Sequence, residues 1–331
     1  MLKFFLLCLF TMSIAGNNPC DFLKPMLGKS FENGADPYKG IYQHDTPTVR
    51  YVEQVRAIAS RCYLVDNLRV MGKGDDPIHK PGWSSLLVDT TKLKKVYLMA
   101  NDFPVRVQSH SFNAGHFQML FEFHPGGAFT PQGEIKGFVN TVEAYFPEGE
   151  SYEPIKAGMG GAYDSVHIFA SDDYSFRYVA AVHSGSHMFE LDLTQAEAEK
   201  LLVTTFRTAT NRKAQMSEKY NTATNSCVTS QFKLLNSVLG PEKRVPPFYE
   251  TFGPEDLKIL FVGLSDVVAT MLERHGIMRK RFFLKSPTEP IEFLKDYSPK
   301  NVVAGNPEDN TEKEIDTPQR AFDQEMERPE K

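Results

Sequence analysis

Cys227 lies in "NTATNSCVTSQFKLL", Asn221 to Leu235, where polar loop residues give way to a helical pattern. Val228, Phe232, Leu235 and Leu239 supply an apolar stripe, Asn225 or Thr224 can cap the start, and Gly240-Pro241 stops it. A cysteine in the first turn of a helix meets free N–H groups and the positive end of the dipole. Both favour the thiolate, lower the thiol pKa and make the sulfur nucleophilic near neutrality. The same N–H groups can hold the oxyanion of a tetrahedral acyl intermediate. Such a nucleophile needs a base to take and return its proton, most often histidine.

Of the nine histidines, His116 is the best placed. In "SFNAGHFQMLFEF" the alternation puts Phe117, Met119, Phe121 and Phe123 on one strand face, and His116, Gln118 and Glu122 on the other. The first is a core face. His116 is therefore expected on a polar face, after Gly115, which lets another backbone or a ligand come close. A solvated histidine at a strand end is the plain alternative, as burial is for Cys227.

Other constellations compete less well. "HSGSH" spaces His183 and His187 four apart, and His110, His116 and His124 lie near one another in sequence. The segment lacks the glutamate that follows the first histidine in a helical zinc-hydrolase motif, so no metal is expected. "GMGGAYD", Gly158 to Asp164, has no strand leading in and no GK[ST] following, and reads as a tight turn.

The elements that must position these residues follow from the pattern. Residues 17–90 read as a helical and loop extension, with Val52, Val55, Ala59 and Cys62 at helical spacing and "MGKGDDPIHKPGW" as loop. From about 92 the period becomes two. "KVYLMAND", "HFQMLFEFH", "IKGFVNTVEAYF", "DSVHIFAS" and "YVAAVHSGSHMFEL" predict a mostly antiparallel sheet. "LTQAEAEKLLVTTFRTATNRK" predicts a helix with a Thr194–Glu197 capping box and a stripe of Ala198, Leu201, Leu202 and Phe206. The Cys227 helix comes next, and an apolar helix is expected over roughly 255–275. The organisation expected is 1–16 leader, 17–90 extension, 91–240 central domain, 241–304 a helical segment packed on it, and 305–331 a disordered acidic tail.

The leader changes the compartment. Lys3, the apolar run Phe4–Ile14 and Ala15-Gly16 have the pattern of a secretory signal peptide, too short to span a bilayer. With Cys8 removed, Cys20, Cys62 and Cys227 remain. In an oxidising space the economical pairing is Cys20 with Cys62, which leaves Cys227 over. A net charge of −5 and a pI near 6.0 argue against nucleic acid as a partner. Hydrophobic and charged fractions of 41% and 24% are those of a globular protein, and a monomer is expected.

The order "SHSFNAGHFQMLFEF", "AGMGGAYDSVHIF", "LDLTQAEAEKLL", "YNTATNSCVTSQFKLL" resembles the bacterial envelope family named for the amino-terminal periplasmic domain of the lipoprotein N-acyltransferase Lnb. The likeness covers about residues 90–240. That family is similar to the permuted papain-like thiol acyltransferases and hydrolases. The resemblance implies an α+β fold, with a papain-like antiparallel sheet packed on helices. It implies His116 as general base, Cys227 as nucleophile forming a thioester, and Tyr220 upstream of it. Gly115, Gly160, Gly161, Asn225 and Ser226 would line the substrate site. Asn140, Glu143 and His167 lie on strands that could orient His116, with Asn140 favoured. Ser226 stands where the family usually has asparagine, with Asn225 one position earlier. The implied partners are a phospholipid or lipoprotein acyl substrate and a peripheral membrane contact, with no cofactor. A cell-wall amidase or peptidase with the same dyad, or a non-catalytic envelope binding protein, are the alternatives.

Overall fold

The computed structural model describes residues 55–59, 61–73, 81–107, 110–145, 163–182, 185–210, 219–221, 224–246 and 264–283, with isolated positions at 20, 24–25, 27, 42–43, 46–47 and 77. The leader, the acidic tail, Gly160, Gly161 and His183 lie outside them.

A two-residue pair, β1 (Tyr42–Gln43) and β2 (Thr46–Pro47), stands apart from one large sheet. That sheet is built from β3 (Val55–Ala59), β4 (Cys62–Val70), β5 (Gly82–Asp89), β6 (Leu93–Val107), β7 (His110–Phe123), β8 (Ala128–Thr130), β9 (Gly133–Glu134), β10 (Gly137–Tyr145), β11 (Tyr163–Ser171), β12 (Gly185–Leu191), β13 (Lys219–Tyr220) and β14 (Met278–Phe283). Among the described residues four α-helices accompany it: α1 (Asp172–Val182), α2 (Gln195–Thr210), α3 (Cys227–Asn236) and α4 (Leu264–Arg274). The strand order is β14-β12-β6-β7-β10-β11-β4-β5-β8-β9, with β13 on β11 and β3 on β4. All pairings are antiparallel except β11 with β4. The class is therefore α+β, with a mixed rather than purely antiparallel sheet.

Both faces of the sheet are covered. On one, Phe117, Met119, Phe121, Phe138 and Phe169 meet Leu201, Leu202 and Phe206 of α2, Val228 and Phe232 of α3, and Val268 and Leu272 of α4. Phe138 is the hub: its ring lies 5.3 Å from Phe121, 5.4 Å from Phe169 and 5.8 Å from Phe206. On the other, Tyr97, Met99, Leu120, Val139 and Met188 pack against Tyr174 and Phe176 of α1. Gly137 opens β10 because a methyl group there would collide with the Phe121 carbonyl across the ladder.

Two expectations are corrected. The residues expected to form a helical extension form strands instead: β3 and β4 make a hairpin, and Cys62 begins a strand, not a helix face. Helical spacing over four apolar residues competes poorly with pairing, because β4 gains ladder partners on β3, β5 and β11. In "YVAAVHSGSHMFEL", Tyr178–Val182 belong to α1, and of the described residues Gly185–Leu191 form the strand. The missed signal is local. Ser171 Oγ accepts from Tyr174 N at 3.3 Å, Asp172 and Asp173 occupy the first turn, and Asp173 pairs with Arg177 at 2.8 Å. The α2 capping box forms, with Thr194 N donating to Glu197 Oε2 at 2.8 Å and Glu197 N to Thr194 Oγ1 at 3.3 Å. Helix α4 occupies the later part of the 255–275 segment, and β14 behind it was not foreseen.

Candidate functional site

Cys227 is the first residue of α3. Its N-cap is Ser226 rather than Asn225 or Thr224: the Ser226 hydroxyl accepts from Thr229 N, and Thr229 Oγ1 accepts from Ser226 N at 2.7 Å. Serine and asparagine cap equally well, so the departure at 226 keeps the helix start intact. Asn225 instead ties down the loop before the helix. Its Nδ2 donates to Lys219 O at 3.0 Å, and its Oδ1 accepts from Lys233 Nζ at 3.0 Å.

Helix α3 packs on β7 and β10 where those strands part company. Their pairing runs from Gly137↔Glu122 to Thr141↔Gln118 and stops. The next residue on β7 is Phe117. Its carbonyl accepts from the Thr141 hydroxyl at 3.4 Å, and its backbone amide hydrogen-bonds the Cys227 sulfur. Side chains thus replace the missing ladder partners at the residue that follows His116.

The His116 ring shares its face with Gln118 and Glu122, as alternation requires; His116 itself is half-buried, and the face closes beyond it. Gln118 and Glu122 are buried, Gln118 accepting from Ser175 Oγ at 3.0 Å and Glu122 from Tyr97 OH at 3.0 Å. His116 Nε2 lies 2.8 Å from Thr141 Oγ1. Where the Thr141 hydroxyl donates to Phe117 O at 3.4 Å, it accepts from Nε2–H, and the lone pair is then on Nδ1. Burial, and then the nearby Arg69 charge, lower the His116 pKa to about 4, so the ring is neutral at pH 7. Opposite His116 on β6 stands Asn101, fully buried. Its Oδ1 accepts from Ser186 Oγ at 2.6 Å, while Nδ2 has no partner among the described residues.

Asn140 and His167 form a second cluster on the α3 face. His167 Nδ1 is 3.0 Å from Asn140 Oδ1, Asn140 Nδ2 donates to Gln231 Oε1 at 3.3 Å, and Gln231 Nε2 donates to Asn140 O at 3.1 Å. Burial lowers the His167 pKa to about 4 as well. The residue bonded to His116 is therefore Thr141, which the sequence did not single out. The two positions differ by one residue and hence by sheet face.

The thiol departs from expectation. Cys227 is 6% exposed, and burial raises its pKa. The amides of Phe117 and Val228 pull it down, the Glu143 charge raises it further, and the Tyr220 side chain hydrogen-bonds it downward. The helix start is there, but desolvation outweighs it, so the resting sulfur is a thiol. Tyr220 is held beside it by pairing with Tyr163 of β11. Cys20 and Cys62 form a disulfide at the start of β4, with Leu64 and Leu87 packed around it. His187 Nδ1 is 3.1 Å from an Arg281 guanidinium nitrogen at the far edge of the sheet.

An α+β molecule with a thiol at a helix start, set against a strand that carries histidine, defines a general class. The chain falls within a particular family of it. The Lnb N-terminal periplasmic domain family matches residues 88–259, just over half the chain, and the protein belongs to that family. No curated protein and no solved structure matches the chain. The family is a periplasmic one, which associates the protein with the bacterial envelope.

Proposed function

We propose that the protein is an exported, cysteine-dependent acyltransferase or hydrolase of the envelope, released by cleavage near Ala15-Gly16, with Cys227 as nucleophile and His116 as base. The observation that supports this reading is the junction at Phe117, where helix α3, opened by Cys227, packs on β7 next to His116 and Thr141 holds the imidazole by Nε2. Nδ1 is then the nitrogen left to take the thiol proton.

Both groups rest neutral, so the proton moves as the bond forms. Sulfur attacks the acyl carbonyl while its proton passes to His116 Nδ1. The tetrahedral oxyanion collapses, and the leaving alkoxide departs with the proton from the imidazolium. A thioester remains on Cys227. An amine or water, deprotonated by Nδ1, then attacks the thioester and returns the thiol. A lipid or lipoprotein acyl group fits the family, and Tyr220, beside the sulfur, would face it. Among the described residues no helix is long and apolar enough to cross a membrane. Access to lipid would be by peripheral contact.

Incubation with p-nitrophenyl decanoate followed by intact-mass and peptide mass spectrometry tests the proposal. One decanoyl group on Cys227, released by hydroxylamine and absent in Cys227→Ala, is the expected result. The burial of the thiol favours a second reading, a binding protein in which Cys227 is packing. Folded wild-type protein that gains no acyl group on Cys227 from ester or peptide amide would establish that reading instead.

A further inference from the structure

Strand β4 lies wholly before residue 88, outside the segment that matches the family, yet it is built into the same sheet beside β11. Its pairing there is Phe169↔Leu68 and Ala170↔Arg69. A bulge precedes those two residues: Asn67 has φ 57°, and the register against β5 shifts between Val65 and Leu68. Asparagine tolerates that left-handed conformation better than most side chains. The bulge reverses the alternation. Val65 and Leu68 both reach the main core, and Arg69, which would otherwise share the Val65 face, turns to the His116 side.

There Arg69 is 7% exposed. Its Nη1 is 3.6 Å from Glu143 Oε1, and its guanidinium carbon lies 5.7 Å from the Tyr174 ring centre and 5.8 Å from that of Trp83. Glu143 is two residues beyond Thr141 on β10 and so shares its face. Arg69 from β4 thus acts on both His116 and Glu143, Tyr174 and Tyr178 from α1 stand beside Arg69, and Glu143 in turn acts on the Cys227 sulfur. A buried guanidinium costs stability unless it is paired, so a strand that bulges to deliver one serves something other than packing.

We propose that Arg69, delivered by a strand outside the family segment, is a positioning residue of the Cys227 site: by anchoring the Glu143 carboxylate on the face that holds His116 and Thr141, it sets the charge balance under which thiol and imidazole exchange a proton. This deepens, and rests on, the assignment of Cys227 and His116. The Arg69 cation opposes a charged His116, and the Glu143 carboxylate opposes a charged sulfur.

The test uses the full mature chain, with the His116 ring titration followed by NMR and Cys227 alkylation by iodoacetamide measured from pH 5 to 9. In Arg69→Met the His116 midpoint should rise above about 4 while burial still holds it below 6.5, and each pKa unit of that rise should quicken alkylation at pH 6 by up to tenfold. Arg69→Lys should stay within about threefold of wild type. Glu143→Gln should lower the apparent thiol pKa, and it serves as the independent variant if Arg69→Met fails to fold. Wild-type titration and alkylation profiles in folded Arg69→Met, or in Glu143→Gln where only that variant folds, overturn the proposal. The dyad is judged separately: His116→Ala with unchanged alkylation at every pH removes His116 from the mechanism, whatever the Arg69 variants show.

Discussion

At the scale of single residues, one position along β10 separates two different jobs. Thr141 holds His116 by Nε2, whereas Asn140, on the other face, holds His167 and Gln231. The two substitutions should therefore fail differently. Thr141→Val removes the acceptor that fixes the imidazole tautomer; Cys227 acylation should slow by tenfold or more with the urea midpoint little changed. Asn140→Ala strands buried partners on both sides, and should cost about 1–3 kcal/mol for each group left unpaired. Acylation by the surviving folded protein should stay near wild type. The reverse pattern would transfer the orienting role to Asn140. Neither role was legible from the sequence, which supplied Asn140, Glu143 and His167 as neighbours of His116 and favoured Asn140.

At the scale of elements, the start of α3 and the start of β4 fix where the chemistry-bearing residues lie. Ser226→Ala removes a side-chain cap and should destabilise by about 1 kcal/mol, while Ser226→Asn should be close to wild type. Differential scanning calorimetry of the two variants separates capping from any direct role at Cys227. The disulfide closes a loop with a sequence separation of 42 between Cys20 and Cys62. Cys20→Ser should cost about 4 kcal/mol on chain-entropy grounds, read from guanidinium unfolding. Because β4 also carries Arg69, that variant should disturb the His116 titration as well as stability. The capping box at Thr194 and the apolar stripe of α2 were readable, since both are set by residues three or four apart. The N-terminal strands were not, because β4 is set between β5 and β11, and β11 lies far along the chain.

At the scale of the whole molecule, buried His167 and half-buried His116 tie stability to pH. His116 and His167 are neutral in the fold down to about pH 4, whereas in the unfolded chain they gain protons below about pH 6.5. Between those values the unfolded state binds more protons, so the contribution is full above about pH 6.5 and is lost as pH falls toward 4. For the deeply buried His167 the loss amounts to roughly 3 kcal/mol across the window. The melting temperature should fall steadily from pH 7 to pH 4, and His167→Gln should flatten that slope. A melting temperature independent of pH over this range would mean that the rings are solvated. Burial depresses these histidines and raises the Cys227 thiol, so imidazole and sulfur both rest neutral at pH 7.

The sequence by itself determined which residues could do chemistry and many of the local elements: a cysteine opening a helix, a histidine on an alternating strand, the capped α2 helix, and strands β6, β7 and β10. These are properties of neighbours within one or two turns. Tertiary structure alone decided that both sheet faces are covered, that Thr141 rather than Asn140 meets His116, that a bulge at Asn67 turns Arg69 toward them, and that the thiol is protonated at rest. Alternation fixes which residues of a strand share a face, but register across strands and burial depend on partners dozens of residues away. A shift of one residue exchanges the faces.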